Sequence, residues 1–201
     1  MVEAMDHELG RLLTSLGAER LAGTHVIVVG DNGSQNDVTE EPFIAGHGKG
    51  TLFEGGVRVP LIVAGPAVAT VGAECRALVN SVDLFATCFE LGGATKPLPA
   101  NAEFPRDSIS LVPYLKDPSH KSLRQTIYSE RFSLNHTVRD WRRAIRNSRF
   151  KLFINIDNGV EHFFDLERDP FEQTNLIHQE ALSPEGSKAY GELKAALEAL
   201  E

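Results

Sequence analysis

Apolar residues recur at spacings of three and four through residues 1–17, at Met1, Met5, Leu9, Leu12, Leu13 and Leu16. One such stripe predicts an amphipathic helix, with Gly17 placed to end it. No Ser, Thr, Asp or Asn stands ahead of the stripe as a cap. The chain is therefore expected to begin inside a helix, as a piece of a longer protein or a late start would. The pattern then changes. His25-Val26-Ile27-Val28-Val29 is a short β-branched run, and Leu61 to Ala64 is similar. Few polar breaks interrupt either run, which suits strands buried on both faces, as in a parallel sheet. Ser81 could cap a helix carrying Leu84, Phe85, Cys88, Phe89 and Leu91, closed by Gly92-Gly93.

Residues 93–107 are rich in Pro, Ala and polar groups and read as a loop. Beyond about residue 120 the pattern is that of an antiparallel sheet. Gln125 to Ser129 predicts a strand, and Arg142 to Ile156 contains alternating stretches. Asp157-Asn158-Gly159 then separates them from Val160 to Leu166. Two strand-like runs around an Asn-Gly pair signal a hairpin. Ser183-Pro184-Glu185 has the chemistry of a helix start, and Tyr190, Leu193, Leu197 and Leu200 form its stripe. The expected fold class is α/β. Residues 1–118 supply part of a mixed or parallel sheet with helices, and residues 119–201 a small α+β subdomain of antiparallel sheet and closing helix.

At 201 residues the chain can bury a sizeable core. Its net charge of −8 argues against nucleic acid as a partner, because a phosphate-tracking surface needs an excess of Lys and Arg. One basic run stands out: Arg139, Arg142, Arg143, Arg146, Arg149 and Lys151. A solvated strand face or an acid-pairing surface is the expected reading, with an anionic substrate or partner as the other. Cys75 and Cys88 make no disulfide framework. No apolar run reaches the roughly 18 residues of a membrane helix, so no membrane partner is expected. No signal peptide opens the sequence, which leaves the compartment open.

The chemistry lies in Val29 to Pro66. Asp31-Asn32-Gly33 follows a buried strand at once, where ligands of open α/β sheets bind. A carboxylate and an amide oxygen suit a hard divalent cation, although Ca2+ takes about six to eight oxygens, so other ligands must come from elsewhere. Gly46-His47-Gly48-Lys49-Gly50-Thr51 follows. Glycines let the backbone approach a ligand, and the single ammonium offers a point charge to an anion. Asp-Asn-Gly is also a common turn, and the same triplet at 157–159 reads as only that.

Taken together, the segment closely resembles the sulfatases of the alkaline-phosphatase superfamily. Those enzymes place Asp-Asn-Gly after a central strand. Downstream they carry a Gly-Lys-Gly-Thr-x-(Tyr/Phe/Trp)-Glu-Gly-Gly-x-Arg-x-Pro signature, which Gly48 to Pro60 matches in order. Ser81-Val82-Asp83-Leu84 is similar to a further family segment. Phe164 to Pro170, with Asn175-Leu176, resembles the closing motif. The likeness spans nearly the whole chain and corresponds to the C-terminal part of such an enzyme. It implies that Asp31 and Asn32 are metal ligands, usually to Ca2+ with Mg2+ as the alternative. It implies that Lys49 binds the sulfate of a sulfated small molecule or glycan, and that Glu54 and Arg58 shape the loop. His47, two residues before the lysine, is a candidate substrate contact. Asp37, Glu40 and Glu41 are expected to be solvated loop charges. The other histidines (His7, His25, His120, His136, His162 and His178) lack metal-ligand spacing.

The family's nucleophile is a Cys or Ser in a Cys/Ser-x-Pro-x-Arg motif, and neither Cys75, Cys88 nor any serine stands in one. The family's paired aspartates and its acid/base histidine would lie upstream of Met1. The chain is therefore expected to hold the second half of a site, to turn nothing over alone, and to need an N-terminal part to complete the fold. Three readings compete. They are a sulfuric ester hydrolase, a phosphoester or phosphonate hydrolase relative, and a non-catalytic anion- or partner-binding module.

Overall fold

A computed structural model describes residues 2–94, 107–132, 140–179 and 181–200. The chain falls into two compact units. One comprises Met1–Val29 and Leu61–Lys121, the other Gly30–Pro60 and Ser122–Glu201. Most of the expected 93–107 loop, Arg139 and His136 lie outside the described residues.

In the first unit, α1 spans Val2–Ala22, and none of its residues is buried. Gly17 adopts φ 73° and ψ 158°, so it breaks the helix where an end was expected, but the chain resumes helix on its far side. Strands β1 (Val26–Val29) and β2 (Leu61–Ala64) pair antiparallel, Val26 opposite Ala64 and Val29 opposite Leu61. This corrects the parallel expectation for these two strands. Residues 30–60 leave β1 and bring the chain back beside it, and the Gly30 N–H donates to the Pro60 carbonyl at 3.0 Å. The two-stranded ladder is not buried on both faces either, since Ile62 is 60% exposed.

Helix α3 (Asp83–Leu91) ends at Gly92, as expected, but Ser81 does not cap it. A first-turn N–H of the helix, that of Ala86, donates instead to Ser108 Oγ at 2.9 Å, and Asp83 braces the preceding turn. Its carboxylate accepts the Asn80 and Ile109 backbone N–H groups at 2.8 and 2.9 Å. Thr87, fully buried, donates to the Asp83 carbonyl and accepts the Leu111 N–H. These bonds tie α3 to the start of α4 (Val112–Lys116). Cys75 and Cys88 are exposed and free. Among the described residues, no helix is long and apolar enough to cross a membrane.

The second unit is built on a four-stranded antiparallel meander, β3 (Ile127–Arg131), β4 (Arg142–Arg146), β5 (Phe150–Asn155) and β6 (Glu161–Asp165). The β5–β6 turn is the expected Asn-Gly hairpin, with Gly159 at φ 70°. The sheet is covered on both faces, which explains why β5 reads as nearly continuous apolar sequence. Ile145, Phe150, Leu152 and Phe163 pack against Ala189, Leu193 and Leu197 of α5 (Pro184–Glu198). The alternate residues Ala144, Phe153 and Phe164 pack against Leu52 and Phe53, as the period of two demands. Each fully buried Leu, Ile or Phe among them contributes roughly 1.5–3 kcal/mol. Ser183 caps α5 by accepting the Gly186 N–H at 3.0 Å.

The basic run is an acid-pairing surface. Arg142 pairs with Asp140, Arg143 with Glu130, and Arg149 with Asp165. Arg146 reaches Glu54. Lys151 departs from the expectation, because it is buried rather than solvated.

Candidate functional site

All four residues singled out for chemistry lie in the 30–60 segment of the second unit. Two short hydrogen bonds set their relation. The Gly33 N–H donates to the Gly56 carbonyl at 3.0 Å, and the Lys49 N–H donates to the Ser34 carbonyl at 2.7 Å. The Asp31-Asn32-Gly33 turn is thus pinned to α2 (Glu54–Val57), and the Lys49 loop is pinned to the residue following that turn. Asn36 Oδ1 adds a bond from the Gly46 N–H at 3.2 Å.

The glycines of the motif make this packing possible. A Cβ on Gly33 would sit 1.8 Å from the Gly55 carbonyl oxygen. One on Gly55 would meet the His47 carbonyl oxygen at 2.7 Å, and one on Gly56 the Thr51 oxygen at 2.4 Å. The Glu-Gly-Gly step is therefore a close crossing of backbones that tolerates no side chain.

Asp31 is exposed and Asn32 half-buried. Asn32 Oδ1 is itself buried and has no hydrogen-bond partner among the described residues. Buried polar atoms are nearly always paired, so an unpaired one calls for an explanation. An oxygen of this kind beside a carboxylate fits a hard cation. Among the described residues, no group of three or more His, Cys, Asp or Glu gathers into a metal cage. Any cation at Asp31 and Asn32 would need further ligands from elsewhere.

Lys49 is exposed, on a loop whose flanking Gly46 and Gly50 take φ 92° and 79°. His47 lies flat on Phe53, ring centroids 3.5 Å apart and planes within 3°. Its Nδ1 is buried and unpartnered among the described residues. Burial pushes the His47 imidazole below its ordinary range, and the His162 and Lys151 charges push it the same way. It is therefore a neutral ring at neutral pH. Asp37, Glu40 and Glu41 are exposed.

An open hollow of about 590 Å³ lies beside Thr39, Glu41, Pro42, Phe43 and Gln173. Neither Asp31, Asn32, His47 nor Lys49 lines it, so it is distinct from the site.

Glu54 is buried and held from two sides. Lys151 Nζ donates to its Oε1 at 3.0 Å and Arg146 Nη1 to its Oε2 at 2.6 Å. Burial opposes its charge, but Lys151 and Arg146 outweigh that and hold the carboxyl below the usual range. Glu172 also contacts Lys151, at 2.9 Å, and accepts the Glu54 N–H. Glu54 thus shapes the loop, as expected. The Arg58 guanidinium is exposed while its N–H continues α2. Sequence reasoning missed Lys151 and Glu172. The one available signal was the position of Glu172 between the two parts of the closing motif, Phe164 to Pro170 and Asn175-Leu176.

Comparisons with known proteins place the chain in a family. A family model described as N-sulphoglucosamine sulphohydrolase, C-terminal, matches residues 46–200. A curated sulfatase from Formosa agariphila is 30% identical over 192 residues, covering 88% of this chain and 34% of its own length. The structure of BT4656 in complex with its substrate, D-glucosamine-2-N,6-O-disulfate, matches with a TM-score of 0.78 at 24% identity. It covers 99% of this chain and 38% of that one. Phosphonate monoester hydrolase from Silicibacter pomeroyi matches with a TM-score of 0.68 at 19% identity, over 96% of this chain and 37% of that one. At these identities the two structures show the fold alone. The chain spans about a third of the length of the curated relative. With the family model covering most of its residues, the chain belongs to the sulfatase family and corresponds to that family's C-terminal portion.

Proposed function

We propose that residues 30–60 hold the second half of a sulfate-ester hydrolase site. Asp31 and Asn32 are its protein ligands to a hard divalent cation, Ca2+ in the first place and Mg2+ as the alternative. The observation that carries this reading is the buried, unpartnered Asn32 Oδ1, on a turn pinned by the Gly33–Gly56 hydrogen bond. A bound cation supplies positive charge that polarises the ester oxygens. Lys49, held by its backbone bond to Ser34, presents an ammonium to the sulfate, where charge on the transferring group builds. His47, neutral, offers a hydrogen bond to substrate rather than a charge. The sulfated sugar bound by the fold relative BT4656 supports a sulfated sugar or glycan as the substrate class.

None of the 201 residues supplies the family's nucleophile motif. A chain of these residues alone leaves an aryl sulfate intact, and metal-dependent sulfate release by the pure chain would contradict this.

The binding half of the proposal is tested by calorimetry with CaCl2 and then sulfate, on the wild type and on Asp31→Ala. Saturable Ca2+ binding lost in the variant, with sulfate binding lost in Lys49→Met, is expected. No Ca2+ binding by the wild type would refute the site. Phosphate in place of sulfate addresses the second reading, a phosphoester or phosphonate hydrolase. That reading rests on the fold likeness to the Silicibacter pomeroyi enzyme and on the equal fit of a cation and a lysine to either anion.

A further inference from the structure

Lys151 is 1% exposed, yet its ammonium lies between two buried carboxylates, Glu54 and Glu172. Arg146 adds a second cation on the far oxygen of Glu54. Two positive and two negative groups therefore close a nearly dry cluster without net charge. Taking such groups out of water is costly, and hydrophobic residues of similar volume often hold a fold as well or better. In some proteins buried polar groups fix a register that apolar packing leaves loose.

What this cluster fixes can be followed bond by bond. Glu172 stands at φ 56°, the only non-glycine at positive φ among the described residues. An L side chain there is uncommon, and the conformation places its carboxylate on both Lys151 and the Glu54 N–H. Glu54 opens α2, whose Gly56 carbonyl receives the Gly33 N–H. Gly33 adjoins Asn32, and Ser34 after it receives the Lys49 N–H. The path from β5 to both halves of the loop consists of ion pairs, the Glu54 N–H to Glu172 carboxylate bond and backbone hydrogen bonds.

We propose that Lys151 and Glu172 are positioning residues for the Asp31–Asn32 turn and the Lys49 loop, clamping Glu54 so that the two are held in fixed register. Their functional meaning rests on the site proposed above, but the clamp can be measured without it. Amide hydrogen exchange followed by NMR on the full chain supplies the readout. In Lys151→Met, the Gly33 and Lys49 amides exchange on the order of ten- to a hundred-fold faster, by local opening, while the ladder amides of β3–β6 keep their protection. Uniform acceleration across the sheet, or unchanged exchange at Gly33 and Lys49, overturns the proposal.

Glu172 gives a second test that survives a poorly folding Lys151→Met. Glu172→Gln keeps an acceptor for the Glu54 N–H and Glu172→Ala removes it. The alanine variant therefore speeds exchange at Gly33 and Lys49 further than the glutamine variant, which loses only the charge facing Lys151. Equal behaviour of the two overturns the clamp. CaCl2 calorimetry on the same samples separates the two readings. A wild type that binds no Ca2+ but shows the expected exchange pattern sinks the metal site and leaves the clamp. Ca2+ binding that is unchanged in Lys151→Met, with unchanged exchange, sinks the clamp and leaves the site.

Discussion

Replacing Gly33 by alanine probes the crossing of the Asp31–Gly33 turn and α2 with a single carbon atom. The added Cβ would lie 1.8 Å from the Gly55 oxygen and 2.8 Å from both the Gly55 carbonyl carbon and the Gly56 Cα, whereas ordinary contact starts at 3.4 Å. All three neighbours are backbone atoms, so no side chain can swing aside. The two segments must separate by roughly 1.6 Å, an overpacking strain of about 1–3 kcal/mol. That separation also breaks the 3.0 Å Gly33–Gly56 hydrogen bond, worth about another 1 kcal/mol. A total of about 2–4 kcal/mol corresponds to a fall in Tm of roughly 5–15 °C for a chain of this size. Because Asp31 and Asn32, the proposed ligands, lie on the displaced turn, Ca2+ affinity should fall with it. Gly10→Ala is the control. Its Cβ meets nothing within 4 Å, and inside α1 it should stabilise by about 0.5–1 kcal/mol. Thermal melts and Ca2+ titrations of both variants check the reasoning. A Gly33→Ala protein with wild-type Tm and wild-type Ca2+ affinity would refute it.

Further outcomes follow from the same geometry. Leu193→Ala, at a fully buried contact of α5 with the sheet, should cost about 2–5 kcal/mol in a denaturant melt, and a loss under 1 kcal/mol would mean α5 is not docked there. Ser183→Ala should cost about 1 kcal/mol by removing the bond to the Gly186 N–H. Stability should fall as the pH drops below 6.5, because burial keeps His47 and His162 neutral in the fold while the unfolded chain takes up protons there. Further loss follows near and below 3.8, where the Arg149 hydrogen bonds that hold the Asp165 carboxyl below its usual range are given up. Glu172, raised by burial, works in the opposite direction, so the net acid loss should grow in Glu172→Gln. A Tm that does not fall between pH 7 and pH 4 would contradict the signs.

Where the chain's local pattern decides the structure, the sequence was readable. Asn158-Gly159 makes the β5–β6 hairpin, Ser183 caps α5, and the acid-pairing reading of the Arg142–Arg149 run holds. Where distant residues decide it, the sequence was silent. Lys151 looked like one more solvated cation. Its burial depends on Glu54 and Glu172, and no spacing along the chain reveals that pairing. The antiparallel pairing of β1 with β2 was missed for a similar reason, since a β-branched run gives no direction and the return path through residues 30–60 sets it. Leu52 and Phe53 stand inside the family signature with nothing to mark them as core, but they plug one face of the sheet, which is why residues 30–60 group with the C-terminal strands. The candidate residues of the proposed site could be named from residue types in order. The unpaired state of Asn32 Oδ1 and the glycine crossing that pins its turn are properties of packing alone.

The central claim is that the Asp31–Asn32 turn takes a hard cation while Lys49 takes the sulfate. The most direct measurement is an NMR titration of the isotope-labelled chain with CaCl2 and then with sulfate. The account expects saturable shifts in the Asn32 side-chain amide and the Asp31 to Ser34 backbone on adding Ca2+, with sulfate then moving Lys49 and its neighbours. Unmoved Asn32 resonances, or shifts spread over exposed carboxylates such as Asp37, Glu40 and Glu41, would contradict it.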